Sequence, residues 1–412
     1  MNYTQRRAQL YKGIRDKGIF TWDYMYDEEY ALADVHRVSA GKLKVMSEAA
    51  ERLGEVFQRA VEVVRQADDE LLLGLGVPEQ ALAAVRLTVQ PEWPTVIGRF
   101  DLACTKDGVK MLEFNSDTPT GIVEAYYVNG EVCRYYGLSD PNEGMDDHLR
   151  RALREAVDAY GREGYATDRV VFSALDWHEE DASTTRYLLE RYGLPASFVP
   201  LSELRVFEDR LHVLMEDGRH EPIDVLYRLH AIEKLAEDAD TDGYPTGAHA
   251  LDLIARGRLA TINPPSAFLA QTKSLQALIW TLHEDREFFT EAEHRAIERY
   301  MLPTYLENRF EGKAAYVSKP ILGREGGGVT LFGPDGETIA RDGEEFYWEQ
   351  PMVYQQLVEL ETLRVETVSG PYEGKLLWGQ FLIGGKPSAV VARVGGAITG
   401  NLSCYVPVSV EG

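Results

Sequence analysis

The stretch that most constrains this chain runs from Arg99 to Thr118 and reads RFDLACTKDGVKMLEFNSDT. Two apolar-alternating runs, Val96 to Cys104 and Val109 to Asn115, flank Lys106-Asp107-Gly108, and a three-residue loop with Gly last closes a β-hairpin. Side chains alternate faces along a strand, so pairing Thr105 with Val109 sets Asp101 opposite Glu113 and Arg99 opposite Asn115. Phe100, Leu102, Leu112 and Phe114 then make the other, apolar face. Two carboxylates directly across a ladder repel unless a cation lies between them. Two carboxylates and an amide, with neighbouring phosphates completing the shell, suit Mg²⁺ beside a nucleotide. The spacing leaves a second reading open, a solvated hairpin face carrying an Arg–Asp pair.

Later in the chain, Ala314 to Pro320 (AAYVSKP) reads as a strand with Lys319 inside an otherwise apolar run. Burying an ammonium there requires an anion. GREGGGVTLF follows at once. Gly323, Gly326, Gly327 and Gly328 let backbone N–H groups wrap phosphates, and Arg324 supplies a planar donor fork. No Gly-Lys-Ser/Thr closes the segment and a strand follows it, so it is not a Walker P-loop. A glycine-rich hairpin turn says little alone and more beside Lys319.

These residues resemble the glutathionylspermidine synthetase family, ligases with an ATP-grasp fold. Asp101, then Glu113 and Asn115 in EFNSDTPT, look like that family's metal-binding segment. The likeness extends through Lys273, Ser318-Lys319-Pro320, Gly323-Arg324-Glu325-Gly326 and the closing stretch Arg393 to Asn401, from about Phe20 to the end. The resemblance implies one or two Mg²⁺ on Asp101, Glu113 and Asn115, and ATP held by Arg99, Lys273, Lys319, Glu325, Gly326 and the hinge Gln355, Gln356, Leu357 and Val358. It gives Arg99, Arg324 and Arg393 catalytic roles on transferring phosphoryl or carboxylate oxygens. Thr118, Glu179, Glu180, Arg324 and Arg393 become substrate contacts. Plainer roles stand beside several of these. Thr118 also suits a turn that caps the next helix, two glutamates in a first helical turn are favoured by its dipole, and Lys273 alone reads as a surface lysine. His178 lacks a second His at ligand spacing, so zinc is not expected.

The metal hairpin precedes the lysines, the reverse of most ATP-grasp enzymes and an order the family shares. The expected fold is therefore α/β, a permuted ATP-grasp with an inserted Rossmann-like pre-ATP-grasp lobe and a helical N-terminal segment. The expected divisions are a helical segment at 1–94, an ATP-grasp region at 95–134 and 263–412, and an α/β substrate lobe at 135–262. The expected activity is ATP-dependent acid–amine ligation: a carboxylate attacks the γ-phosphate and an amine displaces phosphate from the acyl phosphate. Two departures narrow this. The stretch before the hairpin is too short for the amidase domain of bifunctional members, so amide hydrolysis is not expected. The segment between Tyr227 and Lys234 does not match the family's glycine-recognition segment, so glutathione itself is not carried over. A catalytically silent ATP/Mg-binding regulator or scaffold is the competing class; decay would have removed at least one of Asp101, Glu113, Asn115, Lys273 and Lys319. A metal-dependent phosphohydrolase would need neither the lysines nor the flap.

Composition agrees with this reading. At 412 residues and 44% hydrophobic the chain can bury two or three cores. Its 43 Lys and Arg against 67 Asp and Glu give a net charge of −24, which disfavours nucleic acid and anionic membranes as partners and tolerates a small cationic amine. Three cysteines without metal spacing, and no apolar leader or membrane span, lead to the expectation of a soluble cytoplasmic protein; small-molecule carboxylate and amine partners are what the resemblance implies.

The remaining pattern is α/β punctuation. Residues 1–19 read as a helix, the aromatic cluster Phe20 to Tyr26 as a core plug, and Val38 to Leu73 as a long amphipathic helix in which Gly54 offers a break. Arg169 to Leu175 reads as a strand before the acidic loop 176–181, with helix resuming at Thr184. Leu211 to Met215 and Ile223 to Leu229 read as a strand pair across Asp217-Gly218. Ser266 is expected to cap a helix through Leu282.

Overall fold

In the computed structural model, which describes residues 1–215, 217–323, 326–343, 349–400 and 403–411, the hairpin pairs Ile97–Thr105 with Gly108–Asn115. Asp101 faces Glu113 and Arg99 faces Asn115. The turn is one residue tighter than expected, Thr105 pairing with Gly108 at φ +112°, and a bulge beside Asp101 absorbs the difference. Met111 therefore meets Leu102 in the core while Leu112 lines a cleft, so the apolar face is Phe100, Leu102, Met111 and Phe114.

This hairpin forms one side of a six-stranded antiparallel sheet. Its first strand pairs with Gly370–Ile383, which pairs with Lys386–Gly395, which pairs with Cys404–Val406; Thr362–Thr367 lies along the start of Gly370–Ile383. Helix Ala40–Val64, capped by Ser39, buries its apolar stripe on that sheet through Met46, Leu53, Phe57 and Ala60. Phe57 sits edge-on to Phe114, which stacks on Phe100 with centroids 3.9 Å apart. The helix does not break at Gly54: a Cβ there would stand 3.1 Å from Leu382 Cδ2, so glycine serves the close approach of helix to sheet.

A second sheet is parallel, in the order Ala260–Ile262, Val225–Arg228, Val170–Ala174, Ser197–Pro200. The chain leaves Val170–Ala174 towards one edge and Val225–Arg228 towards the other, so the order reverses between them, and a ligand crevice opens at the carboxyl ends of strands beside such a reversal. Two expectations are corrected here. Helix Glu179–Tyr192 is capped by His178, whose ring accepts from Asp181 N, and starts five residues before the expected Thr184 because three carboxylates in the first turn suit its dipole. The turn at Asp217-Gly218 joins Arg210–Leu214 to His220–Pro222, whereas Val225–Arg228, an apolar run suited to burial on both faces, belongs to the parallel sheet.

A five-stranded antiparallel sheet, in the order Thr304–Tyr305, Met352–Gln356, Tyr316–Pro320, Thr330–Phe332, Thr338–Arg341, supplies the third wall. The expected helix from Ser266 divides at Thr272 into Ala267–Gln271 and Lys273–Asp285. Ser266 makes no cap bond; Thr272 takes an extended backbone and its hydroxyl accepts from Leu275 N at 3.2 Å. Among the described residues no helix is long and apolar enough to cross a membrane.

Candidate functional site

The polar face of the hairpin opens onto a cleft lined also by the five-stranded sheet and by residues that follow two of the parallel strands. Arg99, Asp101, Glu113 and Asn115 enter from the hairpin; Lys319 and residues 355–358 come from the five-stranded sheet; Lys273 stands at the first position of its helix; Arg393 comes from Lys386–Gly395. Gly323, Gly326 and Gly327 border the cleft, as does Thr118. The structure thus gathers most sequence-nominated residues in one place. Arg324, Glu325 and Asn401 lie outside the described residues.

The charges are arranged differently from the expectation that a divalent ion must separate Asp101 from Glu113. Asp101 accepts from Arg99 Nε at 2.7 Å and from Arg393 Nη2 at 2.9 Å, and Glu113 stands 3.2 Å from Lys273 Nζ. Protein cations therefore offset both carboxylates. Burial alone would raise Glu113, but Lys273, Lys319 and Arg99 outweigh it and hold the carboxyl at about 2. Burial pulls Lys319 down to about 8, with Glu113 opposing and Lys273 adding to the fall. The anion expected beside Lys319 is not its direct partner: Nζ donates to Gln355 Oε1 at 2.8 Å and Leu112 O at 3.3 Å, both neutral. Around the facing pair, four basic side chains stand against the two carboxylates Asp101 and Glu113, a local excess of cations in a chain of net charge −24. Such a surplus suits a polyanion whose charge grows during reaction.

Local structure fixes these groups. Extended Thr272 restarts the helix and aims Lys273 inward, where Nζ also donates to Gly323 O at 2.8 Å and so holds the start of the glycine segment. Gly326 has φ +77°, and a Cβ there would lie 2.7 Å from Thr399 O, so a side chain is excluded where the glycine segment meets residues 397–400. Asn115, Asp101 and Glu113 offer oxygen donors only, a set that fits a hard cation such as Mg²⁺ if ligand oxygens fill the remaining positions. Among the described residues no cluster of three or more His, Cys, Asp or Glu is poised to hold a metal.

At the carboxyl ends of the parallel strands the expectations divide. Glu180 and His178 line the cleft. Glu179 does not; its carboxylate takes the Thr21 hydroxyl, because successive residues at a helix start point about a quarter-turn or more apart. Glu233, just after Val225–Arg228, also faces the cleft, and so do Met25 and Tyr26 from the segment read as a core plug, with Tyr30 beyond it. Phe20 and Trp22 do plug the core, whereas Tyr24 is exposed on the short strand beyond them and Tyr26 on the turn that follows it. A buried pair also went unread: Asp117 accepts from Arg228 at 2.5 and 3.1 Å, both side chains fully excluded from solvent. Asp117 and Arg228 are 111 residues apart, and no local pattern links an aspartate in a turn to an arginine ending a distant strand.

The profile of the glutathionylspermidine synthase preATP-grasp family matches residues 1–411. A Haemophilus influenzae protein provisionally named an acid–amine ligase is 25% identical over 324 residues, 76% of this chain and 74% of that one. Trypanothione synthetase of Crithidia fasciculata is 25% identical over 311 residues, 71% of this chain but only 45% of that longer protein. Among solved structures, a glutathione synthetase-like effector from Globodera pallida, in its apo form, superposes with a TM-score of 0.62 at 13% identity over 100% of this chain and 98% of that one. This last likeness is one of fold.

Proposed function

This chain belongs to the glutathionylspermidine synthase preATP-grasp family, and from that premise we propose that it is an ATP-dependent acid–amine ligase built on a permuted ATP-grasp. In this reading residues 95–134 and 263–412 form the catalytic region, 135–262 the substrate lobe and 1–94 a packed N-terminal segment. The observation that carries it is the excess of cations around the facing pair Asp101 and Glu113. Phosphoryl transfer needs positioning and charge neutralisation more than a protein nucleophile.

A substrate carboxylate oxygen attacks the γ-phosphorus of ATP and ADP leaves. The amine nitrogen then attacks the acyl phosphate carbon, inorganic phosphate departs, and the nitrogen sheds a proton to give the amide. Lys273 and Lys319 hold phosphate oxygens, while residues 355–358 and Gly326 border the nucleotide. Arg99 and Arg393 exchange part of their hold on Asp101 for developing charge on phosphoryl or carboxylate oxygens. Arg324 and Glu325 keep the roles that the resemblance implies. Asp101, Glu113 and Asn115 would hold Mg²⁺, which when bound neutralises phosphate charge. Thr118 and Glu180 face the acid and amine.

ADP release measured across a panel of carboxylates and amines, with mass detection of the amide, tests this directly. Glu113→Gln is expected to abolish ADP release while leaving the far-ultraviolet circular dichroism and melting temperature near those of the wild type. Normal turnover by that variant would remove the assignment of the hairpin.

A further inference from the structure

We propose that Lys273 guards Glu113 against divalent cations: its ammonium and the metal are alternatives at that carboxylate, so the chain takes up Mg²⁺ only together with a triphosphate. This rests on the ligase reading above and adds an order of binding to it. Each oxygen of the two facing carboxylates meets a donor. Asp101 Oδ1 accepts from Arg99 Nε at 2.7 Å, and Oδ2 accepts from Arg393 Nη2 at 2.9 Å and Arg99 Nη2 at 3.2 Å. Glu113 Oε2 lies 3.2 Å from Lys273 Nζ, and Oε1 accepts from Asn115 Nδ2 at 3.4 Å. A hard cation needs those same lone pairs turned towards it. It competes at Glu113 with an ammonium and at Asp101 with two guanidinium groups.

The competitors are not equally fixed. Arg99 is buried, and its Nη1 also donates to Thr120 O at 2.6 Å, so it stays with Asp101. Arg393 reaches Asp101 from a side chain 22% exposed. Lys273 carries a compact ammonium on a flexible four-carbon stem, with three donors that reorient. One of them is spent on Gly323 O at 2.8 Å, and Gly323, Lys273 and Glu113 all border the cleft. A phosphate oxygen entering there draws the ammonium from Glu113 while the bond to Gly323 O persists. Glu113 is then the carboxylate released for the metal, and Asp101 stays partly neutralised by Arg99.

Charge sets the order. Arg99, Arg393, Lys273 and Lys319 already outnumber Asp101 and Glu113, and a dication arriving alone adds to that excess in a largely buried site, where like charges repel strongly. A triphosphate reverses the balance, because its oxygens take the lysines and carry the ion in with them. Metal and nucleotide therefore bind with positive coupling, and Lys273 is the residue through which the coupling runs.

Mn²⁺, a paramagnetic stand-in for Mg²⁺, tests this on the full chain without turnover. Electron paramagnetic resonance of free Mn²⁺ should show only weak uptake by the acidic surface, alike in wild type and Glu113→Gln. Lys273→Met keeps the stem and loses the charge; without nucleotide it should bind Mn²⁺ at least ~10-fold more tightly than wild type, and Glu113→Gln in that background should abolish the gain. Lys273→Gln keeps a donor for Gly323 O and serves the same comparison if the methionine variant is unstable. With a non-hydrolysable imido analogue of ATP, the water-proton relaxation rate of the Mn²⁺ complex should rise when wild-type chain is added. Equal Mn²⁺ affinities in wild type and both lysine variants, with that rise intact, overturn the guarding role alone, as does a gain that survives Glu113→Gln. Absence of the rise in wild type removes the metal assignment of the hairpin, and the inference falls with it.

Discussion

Lys319 concentrates the electrostatics of the cleft in one side chain. Its nearest acceptors are a glutamine and a peptide carbonyl, and burial brings it to about 8 from an ordinary 10.5. If its charge holds phosphate, kcat/KM for ATP should fall as pH rises through about 8, and a pH profile of Lys319→Arg should lack that limb, because a guanidinium stays protonated. The contribution to stability has the opposite sign. The folded value lies below the unfolded one, so between about 8 and 10.5 the unfolded chain binds more protons and this group makes folding more favourable as pH rises. Denaturant titrations of wild type and Lys319→Met across that window should diverge accordingly; parallel curves would show that the group does not titrate there.

At the scale of elements, the interruption at Thr272 turns a helix into a positioning device. An unbroken helix from Ala267 would carry residue 273 elsewhere around its axis; the extended residue restarts the phase and places Lys273 between Glu113 and Gly323. Thr272→Ala removes the acceptor for Leu275 N and is expected to cost about 1 kcal/mol of stability by urea denaturation. It should also raise KM for ATP, since the lysine loses its fixed origin. A loss of stability with an unchanged KM would separate the cap from the site. The long helix Ala40–Val64 acts more simply: its aromatic contact with Phe100 and Phe114 backs the hairpin whose other face bears the carboxylates.

At the scale of the molecule, the cleft exists because the hairpin sheet and the parallel sheet are locked at a chosen offset. Asp117 follows the hairpin, Arg228 ends a parallel strand, and their buried ion pair joins the two; Asp117 Oδ2 also accepts from Ile232 N at 3.1 Å, one residue before Glu233. Arg228→Met leaves a buried carboxylate without its cation and should cost ~3–5 kcal/mol, whereas Asp117→Asn with Arg228→Met should recover much of that loss. A double-mutant cycle in urea measures it, and additive losses would mean that the pair is not the link.

The sequence alone determined whatever depends on near neighbours. Alternation brought Asp101 opposite Glu113, glycine density marked the segment after Lys319, and apolar runs marked Val170–Ala174 and Val225–Arg228 as strands without giving the parallel pairing that joins them. It did not determine the bulge that moves Leu112 into the cleft, the arginines and lysines that offset the two carboxylates, the divergence of Glu179 from Glu180, or the place of Tyr26 at the border of the cleft. Those are outcomes of tertiary structure, because each depends on groups tens or hundreds of residues away whose distance and burial set the energy, and neither quantity is written in local spacing.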